Sequence, residues 1–422
     1  MRDCIAVIGL GYVGLPLAEK ISEKFDLIGY DIDSTKIETI KANNSFLNRG
    51  LIKSIITNNS DYLSYANIFI IAVPTPIKVD KTPDLSALIK ATKMVSKHVS
   101  EGDIIIFEST VFPGTTEKVC LPILSKGSGI SEEKIGLGYS PERINPGDTK
   151  HTLEKTTKLI SGNNSQTIEY MKYLYNFITD NHIYVCESIE EAEASKLLEN
   201  VQRDVNIAFM NEFSFLMKTK GINFNNVLKA ASTKWNFKNF HPGLVGGHCI
   251  GIDPYYLLDG AKKSNVKMSV TLSARETNEL TVKKLINSIL IWEKKSCNKI
   301  CRILSLGCTF KPDIDDIRNS KPLEIIDSLN CKKNQLAVFD PLVKEKLTNI
   351  SLFKDYSKLK KILLEANVIM LLSPHRDIVS WLKASFSIEE WKTISAKKLI
   401  VDPYNVILEI FGKPNSNNYI SL

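Results

Sequence analysis

The chain has 422 residues, of which 43% are hydrophobic and 24% are charged, and its net charge is +7. This composition is that of a soluble globular protein, and the length exceeds the roughly 100–200 residues of one domain, which predicts two or three domains. The positive charge is spread along the chain without a long basic tract. It suits small anionic ligands at least as well as nucleic acid, which is not a predicted partner.

Cysteine and histidine usage argues against disulfides and metals. None of the eight cysteines forms a Cys-x-x-Cys pair, and the chain is far larger than a disulfide-stapled module, so we expect reduced thiols in the cytoplasm. The close pair Cys297 and Cys301 has no second pair to complete a zinc site, and the six histidines are scattered. No metal is predicted.

The apolar start of the chain raises the question of a targeting segment. Residues 1–17 carry Asp3 together with three glycines and a proline at turn spacing, which is typical of a strand and a turn rather than a signal peptide. No apolar run elsewhere approaches the roughly 20 residues of a membrane span, so no membrane partner is predicted.

Short, β-branched apolar runs predict strands that are buried on both faces, as in a parallel sheet, at residues 5–8, 27–30, 68–73 and 104–107. Helical stretches lie between these runs, so the first part of the chain is expected to form a doubly wound α/β domain. Further runs at residues 135–139, 158–160 and 182–185 can extend the same sheet.

A helical period without Gly or Pro follows over residues 188–220 and predicts a spine helix between two domains. A second helical region covers residues 271–294. The strand pattern then returns at residues 302–306, 336–339, 368–372 and 399–401. The predicted fold class is α/β, with two Rossmann-like doubly wound parallel-sheet domains, residues 1–187 and 298–422, joined by a helical central domain, residues 188–297.

A Gly-x-Gly-x-x-Gly motif, Gly9 to Gly14, lies directly between the first predicted strand and a helix, which is the context that dinucleotide binding requires. In that context Gly11 lets a pyrophosphate approach the backbone. Asp31 ends the second strand, where a carboxylate binds ribose hydroxyls and repels a 2′-phosphate, so NAD is favoured over NADP. A strand-end turn residue is the alternative for Asp31, and an exposed helix lysine is the alternative for Lys36.

The segment from Gly246 to Asp253 sets Cys249 among glycines, with a carboxylate four residues later. If a helix starts near Cys249, its N-terminus lowers the thiol pKa and Asp253 lies on the same face. Such a thiol can form a covalent adduct with a carbonyl group. A buried structural cysteine is the alternative on this segment alone.

Other candidate groups follow predicted strands or share a helix face. Thr110 follows a buried strand and can orient water or cofactor, although a helix-capping threonine looks the same. Glu142 lies in a proline-bounded loop and can act as a general base, although a solvated loop carboxylate is the alternative. Lys196 and Asn200 lie four residues apart on the spine helix, where they can polarise an oxyanion or be ordinary surface residues.

Together these residues resemble the UDP-glucose/GDP-mannose dehydrogenase family over residues 2 to about 405. Six motifs occur in the family's order: Gly9-x-Gly-x-x-Gly14, Ser109-Thr110-Val-x-Pro-Gly-Thr-Thr, Ser140-Pro-Glu142, Lys196-Leu-Leu-Glu-Asn200, Gly246-Gly-His-Cys249 with Asp253, and Phe310-Lys311-Pro with Asp316-Ile-Arg318.

The resemblance implies that a sugar CH2OH is oxidised to a carboxylate in two NAD-dependent steps, through a cysteine thiohemiacetal and a thioester. It implies catalytic roles for six residues: Cys249 as nucleophile, Glu142 as the base for hydrolysis, Thr110 and Asp253 as orienting groups, and Lys196 and Asn200 as oxyanion stabilisers.

The resemblance also implies the binding residues. The expected cofactor-binding residues are Gly9, Gly11, Tyr12, Val13, Gly14, Asp31, Lys36, Thr75, Thr110 and Arg318. The expected substrate-binding residues are Glu142, Arg143, Asn145, Lys196, Asn200, Gly246, Gly247 and Lys311. Among these, Lys311 should contact the diphosphate, and the two glycines should let the uridine part lie against the backbone.

The chain departs from the UDP-glucose enzymes, which tend to have Phe-Leu at the position of Arg143-Ile144 and Pro-Lys at the position of Gly251-Ile252. It looks like the branch that acts on UDP-N-acetylhexosamines, in particular UDP-GlcNAc and UDP-GalNAc, whose products feed bacterial surface polysaccharides. Arg143 or Asn145 is expected to contact the acetamido group. UDP-ManNAc and UDP-glucose are the alternative substrates.

Two rival functions share the predicted nucleotide-binding half. A two-electron dehydrogenase of the 3-hydroxyacid or 6-phosphogluconate type would need no cysteine, and a cofactor-sensing module would need no catalytic residues. The apolar spine helix and the family resemblance together predict a homodimer or a higher homo-oligomer, with burial of the helix within one chain as the alternative.

Overall fold

The computed structural model describes residues 3–43, 53–144, 152–297, 300–330, 334–345, 347, 350–412 and 418–422. The chain divides into two compact units, of which the first comprises Met1–Glu199 with Tyr255–Lys267 and the second Asn200–Pro254 with Met268–Leu422. Each unit contains one large sheet. The predicted α/β class, with two Rossmann-like parallel-sheet domains and a helical central region, is confirmed.

The described part of the first unit contains the strands β1 (Cys4–Ile8), β2 (Asp26–Tyr30), β3 (Ser54–Thr57), β4 (Ile68–Ile71), β5 (Ile104–Phe107), β6 (Gly136–Tyr139), β7 (Lys158–Gly162) and β8 (Ile183–Val185). They form one sheet in the order β3-β2-β1-β4-β5-β6-β7-β8. β2 and β3 lie on one side of β1, and the chain then crosses to the other side of β1 to form β4 and the later strands. This reversal of strand order creates a crevice at the carboxyl ends of the strands, where doubly wound sheets hold their ligands.

The helices of the first unit are α1 (Gly14–Ile21), α2 (Ser34–Asn43), α3 (Ser86–Val95), α4 (Leu121–Ser128), α5 (Ser165–Ile178), the first part of α6 (Ile189–Thr219) and most of α8 (Asp253–Lys263). α7 (Phe224–Ala231) and α9 (Ser269–Ser296) belong to the second unit. The unit boundary falls within α6 and near the start of α8. Within the described residues, every helix is too short or too polar to cross a membrane.

β4 shows why the sequence of this sheet is apolar without alternation. Phe69 and Ile71 pack into the core on one face of the sheet, whereas Ile68 and Ile70 pack into the core on the other face. Both sets of side chains are buried because helices cover both faces. The continuous apolar run that predicted this strand therefore reflects burial on two sides.

The expected parallel sheet has one exception, because β7 pairs with β6 in the antiparallel direction. A parallel pair needs a crossover connection, usually a helix, and the described part of residues 140–157 contains no helix. The chain therefore turns back beside β6. The other strand pairs in the described sheet of this unit are parallel.

In its described part, the second unit contains the strands β9 (Cys301–Leu306), β10 (Asn334–Phe339), β11 (Ser351–Phe353), β12 (Val368–Leu371), β13 (Leu399–Val401) and β14 (Tyr419–Ile420), in the order β11-β10-β9-β12-β13-β14. Its later helices are α10 (Lys321–Leu329), α11 (Tyr356–Glu365), α12 (Arg376–Ser385), α13 (Ile388–Ser395) and α14 (Val406–Phe411). The order of β9 to β13 in this sheet is the same as the order of β1 to β5 in the sheet of the first unit.

The sequence analysis missed β3, β11 and β14. All three are edge strands of two to four residues, and none is buried throughout. Such short, half-buried segments lack the apolar run that revealed the central strands. The predicted spine helix, by contrast, agrees with α6 to within one residue at each end.

The glycines between β1 and α1 occupy positions with different physical demands. Gly9 has a φ of 95°, and its N–H donates to the Tyr30 carbonyl at 2.8 Å. A Cβ on Gly14 would lie 1.9 Å from the Gly9 carbonyl oxygen, so this glycine lets α1 approach the turn closely. A Cβ on Gly11 would meet nothing within 4 Å. Gly11 therefore faces open space, as expected of the glycine beside a bound pyrophosphate.

We expect Gly14→Ala and Gly11→Ala to separate folding from cofactor binding. Gly14→Ala should destabilise the chain by about 1–3 kcal/mol, because the added methyl overlaps backbone that cannot move freely. Gly11→Ala should leave the melting temperature unchanged and weaken NAD binding. Denaturation curves and calorimetric titration with NAD provide the two measurements. Equal loss of stability in both variants would contradict this assignment.

Candidate active site

Asp31 follows β2 and is anchored beside the glycine turn. Its Oδ2 accepts hydrogen bonds at 2.9 Å from the Leu10 N–H and from the Lys36 ammonium, and its Oδ1 accepts the Asp33 N–H at 3.0 Å. Burial alone would raise the pKa of Asp31, but these donors lower it on balance. The carboxylate is therefore held in the ionised form that binds ribose hydroxyls.

The open space at Gly11 and the ionised Asp31 together fit an NAD molecule, whose pyrophosphate and ribose need these two features. Tyr12 and Val13 follow Gly11 in the turn before α1, and half of the Tyr12 side chain is exposed. Lys36 is bound to Asp31 and partly exposed, so it also borders the predicted ribose position.

The loops after β4 and β5 are joined by hydrogen bonds. The Thr75 hydroxyl donates to the Thr110 carbonyl at 2.7 Å, and the Ser109 hydroxyl donates to the Val73 carbonyl at 2.6 Å. Both loops lie at the carboxyl ends of neighbouring parallel strands. The structure therefore brings Thr75 and Thr110 together at the edge where a cofactor is expected, with the Thr110 side chain half-buried.

α8 packs against these two loops. The Tyr256 hydroxyl donates to the carbonyls of Thr75 and Pro76, at 3.1 and 3.3 Å. A Cβ on Gly260 would lie 2.0 Å from the nearest atom of the Phe112 ring, so the helix can approach only because this residue is glycine. The sequence analysis did not single out Tyr256 or Gly260, because neither residue type signals such a contact on a helix.

Glu142 follows β6 and is held at three atoms. Its Oε1 accepts the Ile144 N–H at 2.5 Å, its Oε2 lies 3.5 Å from the Lys158 ammonium, and its carbonyl oxygen accepts a hydrogen bond from the Lys196 ammonium. The side chain is only 14% exposed. Glu142 is thus a carboxylate held by protein groups, and the alternative of a solvated loop carboxylate is excluded.

Lys196 and Asn200 are buried on one face of α6, which excludes the alternative of ordinary surface residues. Within the second unit, Asn200 Nδ2 donates to Asp253 Oδ2 at 2.5 Å. Asp253 is itself buried. The amide thereby orients the carboxylate that lies four residues after Cys249.

The cysteine segment differs from the conditional prediction of a helix near Cys249. Residues 247–252 form turns, and α8 begins at Asp253. The Asp253 N–H donates to the Cys249 carbonyl at 2.9 Å, so the half-buried thiol precedes the helix by one turn. Proline at position 254, next to the first helical residue, suits a helix start at this point.

The two glycines before the cysteine allow a close approach to protein atoms. A Cβ on Gly247, whose φ is 78°, would lie 2.6 Å from the Phe310 ring, and a Cβ on Gly246 would lie 2.5 Å from the Asn319 carbonyl oxygen. The sequence analysis attributed the lack of side chains to an approaching uridine. The loop after β9 packs against both glycines, so this packing is a second physical reason for the lack of side chains, and the uridine contact stays a prediction.

Arg318 and Lys311 lie on the same loop of the second unit. The Arg318 guanidinium donates to Asp316 from Nε at 3.0 Å and from a terminal nitrogen at 2.6 Å, and it lies 3.4 Å from His248 Nδ1. Arg318 is therefore placed beside the residue that precedes Cys249. Lys311 is half-buried, and its carbonyl accepts the Thr309 hydroxyl at 2.8 Å.

The predicted acetamido contacts are only partly described. The Arg143 guanidinium lies 2.7 Å from the Glu199 carboxylate and donates to the Thr157 carbonyl at 2.6 Å. It is thus held by protein groups of its own unit. Asn145 lies outside the described residues. A contact between either residue and the substrate remains a prediction.

The second unit has a similar glycine turn after its first strand, at Gly307, but the acid that follows its second strand, Asp340, is buried. The Gly307 N–H donates to the Phe339 carbonyl at 2.8 Å, as that of Gly9 does to Tyr30, and the Cys308 N–H donates to Asp340 Oδ2 at 2.8 Å. Asp340 is fully buried, and His375 Nε2 lies 3.1 Å from its Oδ2. Unlike Asp31, this carboxylate is covered by a side chain.

The sequence analysis also missed Glu193, which is fully buried on α6. Its carboxylate accepts the N–H groups of Gly114 and Thr116, at 2.5 and 2.9 Å, and the Thr116 hydroxyl at 2.7 Å. It therefore fixes the loop that begins at Thr110. Burial raises the pKa of Glu193 to about 7, although these donors act in the opposite direction.

Three family models match this chain. They describe the NAD-binding, central and UDP-binding domains of the UDP-glucose/GDP-mannose dehydrogenase family and match residues 3–179, 190–280 and 304–409, respectively.

Individual relatives match over most of their length. The UDP-N-acetyl-D-glucosamine 6-dehydrogenase of Pseudomonas aeruginosa is 42% identical over 357 residues, which cover 81% of this chain and 84% of that protein. The protein CapL of Staphylococcus aureus is 40% identical over 391 residues, covering 89% and 91%. A solved UDP-D-ManNAc dehydrogenase from Pyrococcus horikoshii is 30% identical and has a TM-score of 0.83. The match covers 99% of this chain and 98% of that one.

We expect the stability contribution of Glu193 to fall as the pH rises. Its folded pKa of about 7 lies above its ordinary value of 4.5, so its contribution is fully present below pH 4.5 and is lost as the pH rises to 7. The loss should be about 3 kcal/mol, at about 1.4 kcal/mol per pKa unit.

Denaturation of the wild type and of Glu193→Gln at pH 5 and pH 8 measures this loss. The free energy of unfolding of the wild type, minus that of Glu193→Gln, should be smaller at pH 8 than at pH 5. Glu191→Gln, at an exposed position on the same helix, is the control and should show no such shift. A difference between wild type and Glu193→Gln that does not change with pH would contradict the expected linkage.

Proposed function

Because the chain belongs to the UDP-glucose/GDP-mannose dehydrogenase family, we propose that it oxidises the C6 CH2OH of a UDP-N-acetylhexosamine to the uronic acid. Membership of the family makes it an NAD-dependent nucleotide-sugar 6-dehydrogenase. The proposal concerns the sugar, UDP-GlcNAc or UDP-GalNAc, and the covalent route of the reaction.

The similarity to the Pseudomonas aeruginosa UDP-N-acetyl-D-glucosamine 6-dehydrogenase, at 42% identity, carries the choice of sugar. A relative of the same name from Salmonella typhi is 40% identical and supports the same choice. The UDP-N-acetyl-D-mannosamine dehydrogenase relative from Methanococcus vannielii is 33% identical. UDP-ManNAc is therefore the alternative substrate, followed by UDP-glucose.

The residues of the first unit that would hold NAD are those of the glycine turn, with Gly11 beside the pyrophosphate and Asp31 on the ribose. Tyr12, Val13, Lys36 and Thr75 complete the site, and Arg318 of the second unit is assigned to the cofactor by family resemblance. When bound, NAD supplies a nicotinamide ring that accepts a hydride. The ionised Asp31 favours the free 2′-hydroxyl of NAD over the 2′-phosphate of NADP.

The proposed covalent route depends on the thiol of Cys249. After C6 has lost a hydride and its hydroxyl proton, the Cys249 thiolate adds to the aldehyde carbon and forms a thiohemiacetal in its oxyanion form. Loss of a second hydride from this carbon leaves a thioester, which keeps the substrate attached between the two oxidations. Asp253, fixed by Asn200, orients groups at the cysteine.

Hydrolysis of the thioester completes the proposed reaction. Glu142 takes a proton from water, the water oxygen adds to the carbonyl carbon, and the carbon–sulfur bond breaks to release a Cys249 thiolate. The Lys196 ammonium and the Asn200 amide stabilise the oxyanion of the tetrahedral stage, and Thr110 orients the water. The fixed carboxylate of Glu142 supports its role as the base.

We propose that Lys311 binds the substrate diphosphate, and that the backbone at Gly246 and Gly247 contacts the uridine part. The proposed domains are residues 1–187, 188–297 and 298–422. The matched family ranges support this division. We further propose that the enzyme is cytoplasmic and supplies a capsule or O-antigen polysaccharide, since a capsule-named relative, CapL, is 40% identical.

The proposed oligomer is a homodimer formed through the second unit. α6 and α9 carry large apolar side chains that are 45% to 70% exposed in the single chain, namely Phe209, Leu216, Val270, Leu272 and Leu280. Burying such side chains against a second copy removes apolar surface from water.

Measuring NADH per substrate with UDP-GlcNAc, UDP-GalNAc, UDP-ManNAc and UDP-glucose tests the reaction and the sugar. We expect two NADH for each UDP-N-acetylhexosamine and the highest kcat/KM with UDP-GlcNAc or UDP-GalNAc. Cys249→Ala should form no uronic acid, whereas Cys297→Ala, which also removes a half-buried thiol, should retain activity.

Each rival function gives a different result in this experiment. One NADH per substrate would indicate a two-electron dehydrogenase. NAD binding without turnover of any UDP-sugar would indicate a cofactor-sensing module. A clear preference for UDP-glucose or UDP-ManNAc would keep the reaction and overturn the proposed sugar.

Phe209→Arg should convert the proposed dimer to monomers, because a charge would then have to be buried at the subunit contact. Sedimentation velocity at micromolar protein concentration measures the change. Ile388→Arg, at an apolar position 47% exposed on α13, is the matched control and should leave the dimer intact. A monomeric wild type would overturn the proposed oligomer.

A further inference from the structure

Three buried ionisable side chains of the first unit, Glu108, Lys158 and Tyr175, form a cluster next to Glu142. The Lys158 ammonium lies 2.8 Å from Glu108 Oε2 and 3.5 Å from Glu142 Oε2. The Tyr175 hydroxyl donates to Glu108 Oε1 at 2.5 Å. Side chains of Lys158 and Glu108 are 3% and 0% exposed, so only Glu142 of the two acids has appreciable access to solvent.

The reversed direction of β7 explains why Lys158 lies beside Glu142. In the antiparallel pair, Tyr139 of β6 faces Ser161 of β7. Continuing this register by three residues past the end of β6 places Glu142 opposite Lys158, the first residue of β7. A parallel β7 would instead have begun at the other end of the sheet. The antiparallel direction of β7 thus places the Lys158 ammonium group beside Glu142, the predicted base.

Burial raises the pKa of Glu108 on balance, although Lys158 and Tyr175 act in the opposite direction. Burial alone would lower the pKa of Lys158, but Glu108 and Glu142 raise it on balance, so the side chain remains an ammonium ion. Burial also raises the pKa of the Tyr175 hydroxyl well above its usual range, so it stays a neutral donor. Glu108, which is itself held by the Tyr175 hydroxyl, therefore anchors Lys158, and Lys158 extends a further donor to Glu142.

We propose that Lys158 is a positioning residue for thioester hydrolysis, which holds the Glu142 carboxylate through Oε2 while the Ile144 N–H holds Oε1. This inference rests on the proposed role of Glu142 as the base. With both oxygens anchored, the carboxylate cannot rotate freely, and each oxygen keeps a lone pair for the attacking water. Lys158 itself neither gains nor loses a proton in this step.

The position of Lys158 predicts a step-specific defect. A displacement of about 1 Å in a reacting group can slow a reaction about 100-fold. In a Lys158→Met variant, hydrolysis should therefore slow by about that factor, while both hydride losses proceed at the wild-type rate. Stopped-flow absorbance should show a burst of two NADH per active site, followed by slow turnover. Mass spectrometry of the quenched enzyme should show the acyl adduct on Cys249.

The burst separates catalysis from folding, because its amplitude counts the active sites that folded. Lys158→Met leaves Glu108 without its ammonium partner, so a second variant combines Lys158→Met with Glu108→Gln, which keeps an acceptor for Tyr175 and removes the buried charge. Both variants should accumulate the adduct. Lys321→Met is the matched control, since Lys321 is 4% exposed and contacts two carboxylates in the second unit. It should accumulate none.

Glu142→Gln distinguishes failure of this inference from failure of the proposed function. It should accumulate the same adduct, and adding Lys158→Met to Glu142→Gln should slow hydrolysis no further. If Glu142→Gln accumulates adduct but Lys158→Met does not, or if Lys158→Met slows the burst as much as hydrolysis, the positioning role is wrong. If Glu142→Gln itself forms no adduct, the proposed role of Glu142 is wrong.

Discussion

Buried polar side chains recur along one face of α6, and each binds a loop or a helix of the unit in which it lies. Glu193 binds the loop after β5, Lys196 binds the carbonyl of Glu142, Asn200 binds Asp253, and Asp204 binds Arg275 at 2.6 Å. Their spacing of three to four residues keeps them on a single stripe of the helix.

This arrangement has a cost, because a buried polar group is destabilising unless it is hydrogen-bonded. The buried polar side chains of α6 named above each make at least one such bond, with partners from loops and other helices. Asn211 continues the stripe, exchanging hydrogen bonds with the Gly243 backbone at 2.9 and 3.0 Å. The polar side chains of α6 thus hold neighbouring loops and helices in place, in addition to the packing of its apolar side chains.

The two Rossmann-like units show how one backbone frame serves different purposes. In both, a glycine turn after the first strand donates to a carboxylate after the second. Asp31 remains bordered by a partly exposed lysine, whereas Asp340 is covered by His375, which lowers the pKa of that carboxyl against the opposing effect of burial. The same acid is a candidate ribose ligand in one unit and a buried structural group in the other.

The sequence by itself determined the fold class, the central strands, α6 and the residue types of the proposed chemistry. These follow from local patterns: apolar runs, helical period, and motifs such as Gly9 to Gly14 whose spacing has a mechanical reason. Only the tertiary structure decided the direction of β7, the contacts of Lys158 with Glu108 and Glu142, and the role of Glu193. Each depends on segments tens of residues apart, and a lone Glu or Lys beside an apolar run is too common to reveal its partner.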